Sequence, residues 1–352
     1  MKFFKKLRGP LAERPLETPI DANRFVLASP GQTVVGTPQI VFSSAGDTFA
    51  DLARTYGLGY DELLAANPGV DPWQPGEKTP ILLPTQFVLP ETPHTGIVLN
   101  IAAKRLFYYP HMPEGQPQVV LTYPIGIGRV GWETPVGVTR VVSKARDPSW
   151  YVPASVRAEH AELGDPLPAV VPPGPDNPLG TRVLQLEMPG YLIHGTNKPF
   201  GVGMRVSHGC IRLYPENIET LYELVDIGES VTIVNEPYLL GWLDGDWYFE
   251  SHAPLADDAE DPGERLAQVL DKPRDGALRP LDRHEKDEAR TVASVDNGVP
   301  LRLAAHDLDE VYGRARPVKN VVKTDPEAPS LTEVREMIDE AVREAKAEPE
   351  AL

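Results

Sequence analysis

Short apolar runs separated by turn residues dominate the middle of the chain. Ile97 to Ile101, Leu106 to Tyr109, Val119 to Tyr123, Val138 to Val142, Val183 to Leu186, Tyr191 to His194 and Val231 to Val234 are rich in β-branched, aromatic or leucine side chains. This pattern predicts a mainly β domain over residues 96–235. One amphipathic helix interrupts it. Pro215 sits in its first turn with Glu216 behind it, and Ile218, Leu221, Tyr222 and Val225 form an apolar stripe that ends before Gly228. The stretch from Pro148 to Pro178 is rich in proline and glycine and carries Trp150-Tyr151, a composition that predicts a loop or lid over a cleft rather than a strand.

Residues 39–84 show a different rhythm of strand, helix, helix and strand. Gln39-Ile40-Val41-Phe42 is apolar and β-branched, and Thr48 with Asp51 approximates a capping box for a helix stopped by Gly57. A second helix opens near Tyr60, with Asp61 and Glu62 in its first turn, and ends before Asn67-Pro68-Gly69. Ile81-Leu82-Leu83 closes the unit. Residues 1–38 are punctuated by proline and predict a loosely folded lead-in with one strand near Arg24 to Leu27. Residues 236–352 open with a hairpin whose turn is Asp244-Gly245, then become a charged, partly helical extension with helical composition at Leu331 to Lys346 and no catalytic pattern.

A length of 352 residues favours two or three domains, and 38 prolines forecast long, stiff connections. The net charge of −17 offers no basic stripe for nucleic acid, and no apolar run is long enough to cross a bilayer. Met1-Lys2-Phe3-Phe4-Lys5-Lys6 has the positive flank of a secretory signal without the apolar segment that should follow it. A single cysteine rules out an internal disulfide and isolates Cys210 for scrutiny.

The surroundings of that cysteine are costly for a packing residue. Ser207-His208-Gly209-Cys210-Ile211-Arg212 sets the thiol among a hydroxyl, an imidazole, a flexible glycine and a guanidinium. A second imidazole ends the apolar run Tyr191-Leu192-Ile193-His194, followed by Gly195-Thr196. A thiol of ordinary pKa is mostly protonated at neutral pH, so a nearby imidazole must take its proton and later return it to a leaving amine. With no obvious Asp or Asn alongside, a backbone carbonyl near Gly195 is the economical group to orient the ring. Backbone N–H groups around Gly209 are candidates to bind an oxyanion.

Two rival readings weaken on context. Gly126-Ile127-Gly128-Arg129-Val130-Gly131 matches a dinucleotide-binding expression, but Trp132 to Gly137 would break the helix that must follow. A zinc site from His194, His208 and Cys210 lacks the usual ligand spacing and needs a further ligand.

Taken together, His194-Gly195-Thr196 sixteen residues before Ser207-His208-Gly209-Cys210, with Arg212 close behind, resembles the signature of the L,D-transpeptidase catalytic domain. The likeness runs from about Gly96 to Val234 and includes Gly128 and Thr134-Pro135-Val136-Gly137. It implies a β-sandwich-like catalytic fold, Cys210 as nucleophile, His194 as general base and acid, and the Gly195 carbonyl as its orienter. It further implies an oxyanion site in the backbone at His208, Gly209 and Cys210, with Ser207, His208 and Arg212 supporting it and Trp150, Tyr151 and Thr196 touching substrate. The implied reaction is attack on a peptidoglycan stem, loss of the terminal D-alanine and transfer of the acyl group to a diaminopimelate amine or a lysine of an outer-membrane lipoprotein. The resemblance implies that no metal or organic cofactor is needed, and the implied location is the periplasm. Residues 39–84 resemble a LysM module, through Gly46-Asp47-Thr48, Leu52-Ala53, Tyr56, Leu63, Asn67, Gly76 and Pro84, which implies binding to glycan strands. Two alternatives stay open: an L,D-carboxypeptidase that hydrolyses the same thioester, and a non-catalytic wall-binding adaptor.

Overall fold

The computed structural model describes residues 14–29, 31–273, 279–303 and 308–323. Nine strands form one curled sheet in the spatial order Arg24–Val26, Val119–Pro124, Arg105–Tyr109, Gly96–Asn100, Ser230–Val234, Gly137–Arg146, Arg182–Leu186, Leu192–His194 and Ile211–Arg212. Neighbours are antiparallel except at Ser230–Val234 with Gly96–Asn100 and at Leu192–His194 with Ile211–Arg212, which run parallel. Gly137–Arg146 is twice the length of the apolar run that announces it. A register shift between Val141 and Ser143 lets its two halves pair with different neighbours, and this bends the sheet around its core.

Strands Gly96–Asn100, Arg105–Tyr109 and Val119–Pro124 are buried on both faces. Ile97, Leu99, Leu106 and Tyr108 point into a core completed by Leu184, Ile193, Ile211 and the helix Pro215–Leu224, through Ile218 and Leu221. The alternate residues Val98, Phe107, Tyr109 and Val120 point the other way, into a cluster with Phe49, Leu52 and Leu63 of the 39–84 unit. Period-two alternation therefore disappears from these strands, which read as continuous apolar runs because each face has a hydrophobic partner. Beneath that contact Arg105, almost fully buried, pairs with Glu62 at 2.7 Å and lies 4.0 Å from the Phe87 ring centroid.

The 39–84 unit has the elements its sequence announces. Gln39–Phe42 pairs antiparallel with Pro80–Leu83, and two helices, Phe49–Thr55 and Tyr60–Ala66, lie between them. Thr48 and Asp51 form a reciprocal capping box on the first helix. The extension beyond residue 236 folds back onto this unit. Tyr238–Leu243 and Asp246–Ser251 form the expected hairpin, with Asp244 and Gly245 both at positive φ as a two-residue turn of this kind requires. Helices Pro262–Asp271, Arg283–Ala293 and Leu308–Arg314 follow. Strand Arg316–Val318 then lies parallel to Gln39–Val41 and makes the small sheet three-stranded. Ile40 and Leu82 accordingly share a core with Trp247, Phe249, Leu301 and Val311. Leu331 to Lys346 lies outside the described residues. No helix among the described residues is long and apolar enough to cross a membrane.

The stretch from Pro148 to Pro178 corrects the expectation of a loop, and with it the single-helix description of the β domain. Trp150–Tyr151 is a short strand paired with Val170–Val171, and Ala154–Glu162 is a helix. That helix buries one apolar residue, Val156, so no apolar stripe marks it in the sequence. Its Ala, Arg and Glu content supplies the helix propensity instead.

Candidate active site

Strand pairing sets the segments that carry His194 and Cys210 side by side. Ile193 lies opposite Ile211 and His194 opposite Arg212 on adjacent parallel strands, and both isoleucines point into the core. Side chains alternate along a strand, so Leu192, His194, Cys210 and Arg212 share the opposite face, with His194 and Cys210 diagonal neighbours. Parallel pairing thus brings together two segments sixteen residues apart in the chain.

The His194 ring is buried, at 3% exposure, with Nδ1 2.6 Å from the Gly195 carbonyl oxygen. That carbonyl is the one singled out from the sequence. A protonated Nδ1 donating to it leaves Nε2 as the nitrogen that can accept a proton. Burial, joined by the Arg212 guanidinium, pulls the imidazole pKa from 6.5 to about 3 against the opposing pull of the Gly195 and Leu179 carbonyls. Cys210 is partly exposed, and its Sγ donates to the Gly190 carbonyl at 3.5 Å. Burial pushes its thiol above the ordinary value, opposed by a backbone hydrogen bond at Leu192 and by Arg212. Both shifts run toward the uncharged form of each group.

The loop carrying Cys210 is fixed by its carbonyls. Ser207 O accepts from Arg129 N at 3.0 Å, Gly209 O from Thr134 Oγ1 at 2.9 Å, and Cys210 O from the Ser207 hydroxyl at 2.5 Å. A trans peptide holds its N–H opposite its C=O, so anchoring the Gly209 carbonyl fixes the direction of the Cys210 N–H. Gly209 has φ +94°, and a Cβ there would stand 3.0 Å from the Tyr191 ring. The 126–131 segment is the wall this loop leans on. Gly126 exchanges backbone hydrogen bonds with Arg212 at 2.8 and 2.9 Å, and a Cβ on Gly128 would stand 1.9 Å from Trp132 O. These glycines serve close backbone packing, and the segment opens no helix.

His208 faces a separate polar cluster. Its Nε2 lies 2.9 Å from Glu159 Oε2 and 3.3 Å from Arg129 Nη2, Arg129 pairs with Glu159, and the Trp132 ring meets His208 edge-on at 4.9 Å. Glu159 and Arg129 have no signal in the sequence as site residues, because Glu159 sits on a helix without periodicity and Arg129 inside a glycine-rich segment that suggests another chemistry. Thr196 is buried, and its hydroxyl accepts from Lys198 N at 2.9 Å. Tyr151 is 77% exposed and Trp150 half-buried, on the ribbon formed with Val170–Val171. No cluster of three or more acidic, His or Cys side chains suited to a metal occurs among the described residues.

Comparison with known proteins gives one consistent match. The YkuD family, L,D-transpeptidase catalytic domain, matches residues 94–233. The probable L,D-transpeptidase YcfS of Escherichia coli is 38% identical over 299 residues, covering 83% of this chain and 92% of that protein. The probable L,D-transpeptidase YbiS of the same organism is 41% identical over 250 residues, covering 70% and 80%. Among solved structures, the catalytic domain of the E. faecium L,D-transpeptidase is remote, with 22% identity and a TM-score of 0.30 over 41% of this chain and 100% of that one.

Proposed function

Since this chain belongs to the L,D-transpeptidase family, an enzyme family that crosslinks peptidoglycan through a cysteine, we propose that Cys210 is its nucleophile and His194 its general base and acid. As a bound stem peptide approaches, His194 Nε2 takes the thiol proton and the sulfur attacks the carbonyl of the third stem residue. The oxyanion is held by backbone N–H groups at Gly209 and Cys210. His194 then gives its proton to the departing amine of D-alanine, leaving the tripeptide as a thioester. An acceptor amine attacks that thioester, loses its proton to His194, and returns the thiol. The Gly195 carbonyl keeps the ring in the working tautomer throughout. The observation that supports this reading is the parallel pairing of Ile193 with Ile211 and of His194 with Arg212, with Nδ1 already committed to Gly195 at 2.6 Å. Iodoacetamide labelling of Cys210 against pH tests it. His194→Ala should label slowly near neutrality and recover at high pH, and a wild-type rate at pH 7 would exclude His194 as base.

The remaining assignments complete this reading. Ser207 and Thr134 hold the loop by its carbonyls, and Arg212 faces the acyl site from beside His194. Trp150, Tyr151 and Thr196 are assigned to substrate contact, with Tyr151 the most exposed of the three. The acceptor is a diaminopimelate amine or a lipoprotein lysine, and the place of action is the periplasm, where the stem peptides are. Product analysis with and without an acceptor amine separates transfer from L,D-carboxypeptidase hydrolysis. Residues 39–84 are assigned as a LysM module that raises the local concentration of glycan-linked substrate. Its core is shared with Val98, Phe107 and Tyr109, so deletion would strip the catalytic sheet. Surface substitutions scored by sedimentation with sacculi are the appropriate test.

A further inference from the structure

We propose that Glu159, on the helix Ala154–Glu162, is a positioning residue that holds His208 in its Nε2–H tautomer and thereby ties the 148–178 insertion to the loop bearing Cys210. The inference rests on the reading of Cys210 as nucleophile.

The argument begins with what holds the helix. Val156 is its one buried apolar side chain, and Glu159 and His160, one turn further on, are its only other residues that are not exposed. Spacings of three and four place them on one face. Glu159 Oε2 lies 2.9 Å from His208 Nε2, and its other oxygen pairs with Arg129, itself only 4% exposed. The insertion therefore meets the nucleophile loop through a charged, largely desolvated contact.

The tautomer follows from donor and acceptor counting. A carboxylate only accepts, so a nitrogen 2.9 Å from it must carry a proton, or two lone pairs would face each other. Arg129 Nη2 stands 3.3 Å from the same nitrogen, and a guanidinium only donates. These two neighbours make opposite demands on Nε2. With Glu159 present, Nε2 keeps its proton, and Arg129 is satisfied by the carboxylate they share. With the carboxylate removed, Arg129 is the neighbour left at Nε2, and the ring should exchange to Nδ1–H. The charged or titratable groups around the ring are Glu159 and His160 from the helix, Arg129 from the glycine-rich segment and Arg212 from the neighbouring strand. Trp132 closes one side edge-on. His208 and Cys210 flank Gly209, whose positive φ gives the loop its turn, so the ring's orientation constrains the peptide that precedes the thiol.

The test reads the ring directly. Imidazole ¹⁵N shifts are measured in the full-length protein for wild type, Glu159→Ala and Glu159→Asp, with His208 assigned by its loss in His208→Asn. Wild type should show Nε2–H, Glu159→Ala should show Nδ1–H, and Glu159→Asp should restore the wild-type pattern. Acyl transfer at pH 7 should fall on the order of tenfold in Glu159→Ala, the scale of one lost charge-assisted hydrogen bond, and recover in Glu159→Asp. An unchanged tautomer in Glu159→Ala overturns the proposal whatever the rate does. Full transfer activity in Cys210→Ala would overturn the nucleophile reading instead, independently of the ¹⁵N result.

Discussion

Acidification should destabilise the fold through His194, and the effect can be separated from every other titrating group. The ring is buried, and its pKa falls from 6.5 to about 3, chiefly through burial. The folded protein therefore binds fewer protons than the unfolded chain between those values. The stability linked to a neutral His194 is complete above pH 6.5 and is lost as pH falls toward 3. The slope is about 1.4 kcal/mol per pH unit, which gives on the order of 2 kcal/mol by pH 5 and about 4 by pH 3. The first figure is already a sizeable part of a net stability of roughly 5–15 kcal/mol. His94 and His208 are also pulled below their ordinary values by burial and slope the same way. The readout is therefore the difference between wild type and His194→Asn, whose amide can still donate to Gly195 O. Denaturant midpoints followed from pH 7.5 to 5 avoid most carboxylate titration. Wild type should lose about 2 kcal/mol more than the variant over that range. Parallel curves would refute the claim that His194 is held neutral by burial.

Gly128→Ala would place a Cβ 1.9 Å from Trp132 O and 3.0 Å from Gly209 Cα, both backbone atoms that cannot swing aside. Displacement of the loop by about 1 Å should cut Cys210 labelling by a stem-peptide analogue about a hundredfold, and an unchanged rate would contradict the packing role of this glycine. Glu62→Ala strands the Arg105 guanidinium, which is 2% exposed, beneath the sheet. The expected loss is about 3–5 kcal/mol, read as a fall in melting temperature of roughly 4–8 °C, and a shift under about 2 °C would mean that the pair does not join the two units.

Much of this architecture is written locally. Thr48 and Asp51 announce a helix start, Asp244-Gly245 announces a hairpin, and His194-Gly195 names the carbonyl that its own ring contacts. These features need only near neighbours in sequence. What the sequence hides is set by distant partners. Apolar runs such as Ile97-Val98-Leu99 show strands but not that the 39–84 unit covers their second face. Arg316–Val318 is too short and too mixed to announce that it extends the sheet begun by Gln39, and the charge of the surrounding extension reads as solvated chain. Glu159 lies on a helix with one buried apolar side chain, and its partner His208 is 49 residues away. Arg205 illustrates the same limit. It joins Gly128 O at 2.9 Å to both oxygens of Asp257, so the extension reaches the wall of the site through an ion pair that no spacing rule anticipates.

The central claim is that Cys210 carries the stem peptide as a thioester. Intact mass and peptide mapping after acid quench, with a tetrapeptide stem and no acceptor amine, test it most directly. Wild type should release one D-alanine per acylated enzyme and gain one tripeptide on the peptide containing Cys210, while Cys210→Ala should gain none. An adduct of the same mass on Cys210→Ala, or on any other residue of wild type, would contradict the assignment.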